Sequence, residues 1–358
     1  MNILITAPNL DVRKNVSGIS SVVNTIITND TDHNYTHFIA GREDNEGGIG
    51  NRLIRLARGY YDLYKTLVQK KITLVHLNLA MNTKSLFRDY IVFLISYLLN
   101  KKIVVHLHGG KFILNSPSSF VLKYIINFIF SNAQHIICLS GLEKNIVEKE
   151  YNVTNVKVLE NTVDNSYLRI LHKEKNIKKL NVLFLGRLHE SKGLRYILDT
   201  IDELQANAVT ELHFTFCGAG PLEKEVKDIV AKYPEFVEFA GTVGGEIKNE
   251  ILQYADIFLL PSIYGEGLPM ALVEAMACGL VPIVTNDGSM GTFIDDDVTG
   301  IVVDKCDAPQ ISRALEGLLN SPEKMARLSK NAKDKIQKNY SIKDYVSSLN
   351  DIYTKSAA

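Results

Sequence analysis

Short apolar runs recur along this chain, each followed by a longer stretch with helical spacing, and the alternation restarts halfway. Ile3–Ala7, Leu74–Leu77, Ile103–Leu107 and Ile136–Leu139 make the first series. Asn181–Leu185, Leu212–Cys217, Val237–Ala240, Ile257–Leu260, Val281–Thr285 and Gly300–Val303 make the second. Strand-like runs alternating with helices are the mark of a parallel sheet. Two series predict two doubly wound α/β domains, and 358 residues are enough for each to bury a core. The polar, lysine-rich segment Leu171–Lys179 marks the boundary. The reading is therefore a first domain over 1–170, a second over 171–340, and a last helix within 341–358, Ile342–Thr354, able to return to the first domain.

In doubly wound domains ligands bind beyond the carboxyl ends of the strands, so chemistry is sought in the loops that follow the apolar runs. Composition narrows what that chemistry serves. Forty Lys and Arg balance forty Asp and Glu, which leaves no basic domain for nucleic acid. Residues 1–170 carry 19 basic against 13 acidic side chains and the rest 21 against 27, that is +6 against −6. This fits a first half that meets an anionic partner, or is incidental. Cys138, Cys217, Cys278 and Cys306 form no C-x-x-C pair and suggest neither a zinc site nor a disulfide framework. The opening MNILITAPNL has no basic segment ahead of a long apolar core, so no secretion signal is read there. Tyr90–Leu99 and Tyr124–Phe130 fall short of the roughly 18–20 apolar residues of a membrane span and are read as buried helices. The expected location is cytoplasmic.

The strongest motif is LLPSIYGEGLPMALVEAMACG, residues 259–279, a strand running into a Gly/Pro turn and a helix start. Glu266 lies in the loop, Gly267 and Leu268 approach the helix, Pro269 sits at its first turn, and Glu274 lies further along it. Amides at a helix start lack intrahelical partners and can hold phosphate or sugar oxygens. A carboxylate beside them is satisfied when sugar or ribose hydroxyls donate to it. Read alone, both glutamates are equally at home as solvated acids that complement the helix dipole. VLFLGRLHESKGL, residues 182–194, offers Arg187, a planar fork for phosphate, and Lys192, a compact ammonium, between Gly186 and Gly193. FTFCGAGPLEKEV, residues 214–226, places Gly218 and Gly220 after another strand, either for close approach to the backbone or simply for a turn. In the first domain SGISSVV, residues 17–23, starts a helix near Gly18, and IVVHLHGG, residues 103–110, puts His106 and His108 on one side of a strand by period two. Ser140 is a helix-cap candidate.

Glu266 and Glu274, in their strand–turn–helix setting, resemble the E-x7-E motif of retaining GT-B glycosyltransferases, especially glycosyltransferase family 4. The resemblance runs through nearly the whole chain with its motifs in order. VLENTVD, residues 158–164, matches the family's E-N-G-V-D segment with Thr162 in place of the glycine, which makes Asn161 and Asp164 linker-side candidates and a left-handed backbone less comfortable there. The resemblance implies a GT-B fold, two Rossmann-like domains facing a central cleft. It implies transfer of a sugar from a nucleotide diphosphate sugar, UDP-sugar favoured, to a hydroxyl of a carbohydrate or lipid-linked saccharide acceptor. Polysaccharide or glycoconjugate biosynthesis is the implied setting. Arg187 and Lys192 would carry the diphosphate; Gly18, Gly218, Gly220, Gly267 and Leu268 would line the donor. Glu274 would take the ribose, Glu266 the donor sugar, and His108 the sugar and acceptor side.

Departures from the family pattern stand out too. Where the family often has two glycines the chain has Ser17 and Gly18, and TNDGSMGTF, residues 285–293, replaces G-G-x-x-E, with Asp287 and Thr292 near the missing glutamate. No cofactor and no metal are expected, the acidic run Asp295–Asp297 being read as a polar turn. A nucleotide-sugar epimerase of the same architecture and a catalytically silent sugar-nucleotide-binding partner are the competing readings. Finally, residues 51–71 alternate Leu53, Leu56, Tyr60, Leu63 and Leu67 with Arg52, Arg55, Arg58, Lys65, Lys70 and Lys71 at helical spacing. That stretch predicts either a packed helix of the first domain or a peripheral contact with the inner face of a membrane.

Overall fold

In the computed structural model the chain runs β1 (Asn2–Ala7), α1 (Gly18–Asn29), β2 (Asn34–Ile39), α2 (Ile49–Gln69), β3 (Leu74–Leu79), α3 (Thr83–Leu98), β4 (Lys102–Leu107), α4 (Lys111–Leu114), α5 (Phe120–Asn132), β5 (His135–Cys138), α6 (Gly141–Tyr151) and β6 (Val156–Val158). It continues with α7 (Asn165–Leu168), β7 (Leu180–Leu185), α8 (Leu194–Ala206), β8 (Leu212–Cys217), α9 (Glu223–Lys232), β9 (Val237–Gly241), α10 (Gly245–Tyr254), β10 (Ile257–Leu260), α11 (Met270–Cys278), β11 (Val281–Thr285), α12 (Gly288–Phe293), β12 (Ile301–Val303), α13 (Ala308–Leu319), α14 (Pro322–Asn339) and α15 (Ile342–Ala357). The described residues are all but 12, 13, 16, 42–48 and 171–178, together with the backbone alone of 49–57 and 114. The lysine-rich boundary segment thus lies almost wholly outside the described residues. Two units emerge, Met1–Asn161 with Ile342–Ala358, and Thr162–Ser341.

The first unit carries a six-stranded parallel sheet in the order β2-β1-β3-β4-β5-β6. Its central strands are the apolar runs. The strands β2 and β6 were not legible as such: NYTHFI is polar and only half-buried, and β6 has three residues, because both lie at the sheet edges where one flank faces no neighbour. On one face Val75, Leu77, Ile103, Val105 and Leu107 join the core made with α2, α3, α5 and α6. On the other face α1 and α15 pack together. There Tyr353 Oη meets His76 Nδ1 at 2.5 Å and Ser356 Oγ meets His135 Nδ1 at 2.8 Å, which fastens the last helix to β3 and β5.

Tyr90–Leu99 and Tyr124–Phe130 are helical, but they are not buried helices. Tyr97, Leu98 and Tyr124 are exposed, while Val92, Phe93, Ile125 and Ile129 turn inward. Apolar residues on both sides of a helix look alike in sequence whether or not a neighbour covers the outer side. In α2, Leu63 and Leu67 are fully buried. The side chains of Arg52, Leu53, Arg55 and Leu56 lie outside the described residues.

The second unit holds another six-stranded parallel sheet, β12-β11-β10-β7-β8-β9. β7, its first strand, stands between β10 and β8, so the chain winds outward one way through β8 and β9 and the other way through β10, β11 and β12. The reversal leaves a crevice at the carboxyl ends of β7 and β10. Thr162, just inside this unit, has no left-handed backbone, and its hydroxyl donates to the Tyr340 carbonyl. Asp164 caps α7 by accepting from Ser166 N–H at 2.8 Å.

Candidate active site

The loops after β7 and β10 meet at the reversal point of the second sheet. Gly193 ends a 3-10 turn over Glu190–Lys192 with φ 69°, and a Cβ there would fall 1.9 Å from the Pro261 carbonyl oxygen. Only glycine lets the two loops touch this closely. Ile263 N–H donates to the Ser191 carbonyl at 2.8 Å and completes the seam.

That seam brings Lys192 and Glu266 together. The Lys192 ammonium donates to Glu266 Oε1, and Ser262 Oγ donates to the same oxygen at 2.5 Å. Glu266 is buried. Its backbone N–H donates to Asp287 Oδ2 at 2.9 Å, and Asp287 Oδ1 accepts from Lys305 Nζ at 2.5 Å. So two lysines flank two buried carboxylates, and each carboxylate has its own ammonium. Gly288, at φ 54°, lies against the Glu266 carbonyl with no room for a side chain. The loop amide beside Glu266 is therefore occupied by Asp287 rather than open. Gly267 and Leu268 follow in the buried loop, and Pro269 is the N-cap of α11, one position earlier than its expected place within the first turn.

Glu274, within α11, forms a second cluster. Its Oε1 accepts from Lys248 Nζ at 2.8 Å and from Tyr167 Oη at 3.1 Å. Burial works to lower the Lys248 pKa, but the Glu274 carboxylate and Tyr167 outweigh it, so the ammonium is held more firmly protonated than usual. Burial first, then Glu274, pushes the Tyr167 hydroxyl upward and keeps it a donor. Only Oε1 of Glu274 is taken by these partners.

Arg187 projects from the β7 loop, exposed and without an ion pair among the described residues. The glycines of the β8 loop hold this neighbourhood together. A Cβ on Gly218, at φ 140°, would stand 1.8 Å from the Gly186 oxygen, and one on Gly220 would stand 2.3 Å from the Leu188 oxygen. Gly218 N–H in turn donates to the Gly241 carbonyl at 2.7 Å. The close approach made by Gly218 and Gly220 is thus to the Arg187 loop itself.

In the first unit His108 ends the β4 run. Its Nε2 lies 2.6 Å from Asn78 Oδ1, and Asn78 Nδ2 donates to the Thr6 carbonyl at 2.7 Å. Burial pushes the His108 pKa down to about 3. The His106 ring lies tilted beside it, with ring centroids 4.2 Å apart, and its Nδ1 meets His76 Nε2 at 3.3 Å. Gly18 is the exposed first residue of α1, capped by Ser17, whose Oγ accepts from Ser20 N–H at 3.2 Å. Ser140 caps α6 in the same manner, accepting from Glu143 N–H at 3.1 Å. Asn78, Tyr167, Lys248 and Lys305 had no signal in the sequence, since each meets its partner across 18 or more residues, while Ser262 lies four positions before Glu266 within the motif itself.

The run Asp295–Asp297 forms a turn closed by a bridge from Asp296 to Gly300. Asp295 pairs with Lys335 at 2.8 Å, and Asp297 with Lys324 at 2.5 Å and Arg327 at 3.2 Å.

Residues 169–335 match the family model described as Glycosyl transferases group 1, and residues 25–167 match that described as Glycosyltransferase Family 4. The chain belongs to the glycosyltransferases. This glycosyltransferase is 24% identical over 318 residues to an uncharacterized glycosyltransferase of Methanocaldococcus jannaschii, covering 84% of this chain and 79% of that one. It is 27% identical over 318 residues to the UDP-Gal:alpha-D-GlcNAc-diphosphoundecaprenol alpha-1,3-galactosyltransferase of Escherichia coli, covering 84% and 80%. Its fold is that of sucrose-phosphate synthase from Thermosynechococcus elongatus, at a TM-score of 0.79 and 15% identity over 99% and 98% of the two chains. Anabaena HepE in complex with UDP and glucose has the same fold, at a TM-score of 0.74 and 13% identity over 99% of each chain.

Proposed function

We propose that this glycosyltransferase moves a sugar from a nucleotide diphosphate sugar, with UDP as the favoured nucleotide, to a hydroxyl of a saccharide acceptor carried on a lipid, with retention of anomeric configuration. The observation that carries the reading is the Lys192–Glu266 pair at the reversal point, with exposed Arg187 on the same β7 loop as Lys192. A donor diphosphate competes for Lys192 and adds Arg187, while its sugar hydroxyls donate to the Glu266 carboxylate that the lysine leaves. Ribose hydroxyls find the second oxygen of Glu274. Support for the nucleotide comes from the UDP and UDP-glucose complexes of the Anabaena fold relative, and for the acceptor from the diphosphoundecaprenol-linked substrate of the Escherichia coli relative.

The developing charge on the departing diphosphate is met by Arg187 and Lys192, so no cation is required in this reading. Asp295 and Asp297, each already engaged by lysine, serve their turn. His108, neutral, accepts from a sugar hydroxyl. The protein positions and stabilises; the leaving phosphate helps take the acceptor proton. A thermal-shift panel of UDP-, GDP- and ADP-sugars tests the donor. A ligand at about 100 times its Kd adds about 2.7 kcal/mol of stability, so a UDP-sugar should raise Tm clearly. A rise with GDP- or ADP-sugars alone would reassign the base, and none with any of them would remove the donor site.

A further inference from the structure

The outer side of the helical layer made by α2, α3 and α5 is uncovered, and it is apolar and basic at once. α3 packs against both α2 and α5, and all three close the same face of the first sheet. Their outward residues therefore share one surface. On α2, Tyr61, Tyr64 and Val68 follow one another at helical spacing and are 67%, 50% and 56% exposed. On α3, Phe87, Ile91 and Leu98 form a second stripe, spaced four and seven. On α5, Phe120 is 82% exposed, with Val121 and Tyr124 beside it. Ten of the sixteen large hydrophobic residues exposed among the described ones lie on these three helices. A single exposed leucine means nothing on a soluble surface, but contiguous aromatic stripes mark an interface.

Charge says what kind. Arg58, Lys65, Lys70, Lys84 and Lys123 are exposed on or next to the same three helices, against one exposed acid among the described residues, Asp62. None of the five is in an ion pair among the described residues. The lysines on the helices of the second unit behave differently: Lys224 pairs with Asp228, Lys227 with Glu223 and Lys330 with Asp334, each one turn away. Cations without acids, set among aromatic rings, complement a layer that is anionic at its head groups and apolar beneath them.

We infer that this three-helix face docks the protein on an anionic lipid surface. Aromatic rings and leucines enter the boundary of head groups and acyl chains, and the lysines above them meet the phosphates. No helix among the described residues is long and apolar enough to cross a membrane, so the contact lies on the bilayer and is reversible by salt. The inference does not rest on the catalytic reading, because it concerns adsorption and not turnover.

The test is co-sedimentation of the full chain with phosphatidylcholine vesicles, with and without phosphatidylglycerol. The wild type should bind the anionic vesicles in about 0.1 M salt, bind the neutral ones at least about tenfold more weakly, and come off in about 1 M salt. Lys65→Glu with Lys70→Glu and Lys123→Glu should weaken anionic binding by about 10²-fold, since each surface lysine contributes about a factor of five. Phe120→Ser with Tyr124→Ser should cost about tenfold or more through lost apolar contact. All five positions are exposed, so Tm should stay near that of the wild type and show that each variant is folded. Equal binding to both kinds of vesicle, no binding to either, or variants that bind as the wild type does would overturn the inference. So would a wild-type dimer that Phe120→Ser with Tyr124→Ser makes monomeric, which would give the face to a second copy of this chain.

Discussion

His108 Nε2 stands 2.6 Å from Asn78 Oδ1, and the amide is oriented by its other end, which donates to Thr6. Nε2 therefore carries the proton, and Nδ1 keeps its lone pair as an acceptor. Asn78→Ala releases the ring to either tautomer. Steady-state kinetics of that variant should show kcat down by about tenfold with donor KM little changed, the pattern of lost positioning. Asn78→Asp puts a carboxylate beside the ring, raises its pKa and should introduce a pH dependence near neutrality that the wild type lacks. A flat profile in Asn78→Asp together with a normal rate in Asn78→Ala would detach Asn78 from the reaction.

The three neighbouring histidines also predict how stability follows pH. Burial pushes His76 and His108 down to about 3, and His106 downward as well. An unfolded imidazole titrates near about 6.5, so between these values the unfolded chain binds the extra protons. Their contribution is full above about pH 6.5 and is lost as pH falls toward 3, by up to about 1.4 kcal/mol per unit for each ring. Urea midpoints should drop between about pH 7 and 5, and nitrogen spectra of labelled histidine should still hold three neutral rings at the lower value. Charged rings at these positions in the folded protein would contradict the burial seen here.

The central strands could be read from sequence because a strand covered on both faces must be apolar along its length, as Ile257–Leu260 and Ile103–Val105 are. The edge strand Asn34–Ile39 escaped because half-burial removes that demand. The motif glutamates, Arg187 and Lys192 stood out against a strand–turn–helix background. Lys248 and Asn78 did not: a lysine on a helix or an asparagine at a strand end is ordinary until topology brings it beside residues 26 and 30 positions away. The pairing of Lys192 with Glu266, 74 positions apart, was likewise beyond any local pattern.

Glu274→Ala should do more than weaken the donor, because it strands Lys248, whose side chain is 16% exposed. Breaking such a pair from one side costs about 3 kcal/mol, while removing both partners is far milder. Denaturant melts of Glu274→Ala, Lys248→Met and the double variant should show coupling of about 1 kcal/mol or more. Additive losses would mean the pair contributes little, leaving Glu274 to ligand contact alone.

Gly218→Ala should injure the site without touching a charged group. The new methyl would lie 1.8 Å from the Gly186 oxygen at a φ of 140° that alanine rarely adopts, so the loop carrying Arg187 must shift. Expected are a stability loss of about 1–3 kcal/mol and a donor KM raised by tenfold or more. Normal donor affinity in a destabilised variant would separate the glycine from the site.

The central claim is metal-free transfer with retention, and one experiment reaches it directly. Proton NMR would follow the protein with the best donor of the panel and a lipid-linked saccharide acceptor in excess EDTA. A glycoside should accumulate whose anomeric configuration matches that of the donor, and Arg187→Ala with Lys192→Ala should abolish it. An inverted glycoside, an epimerised donor, or turnover that appears only when Mg²⁺ or Mn²⁺ is added back would contradict the account.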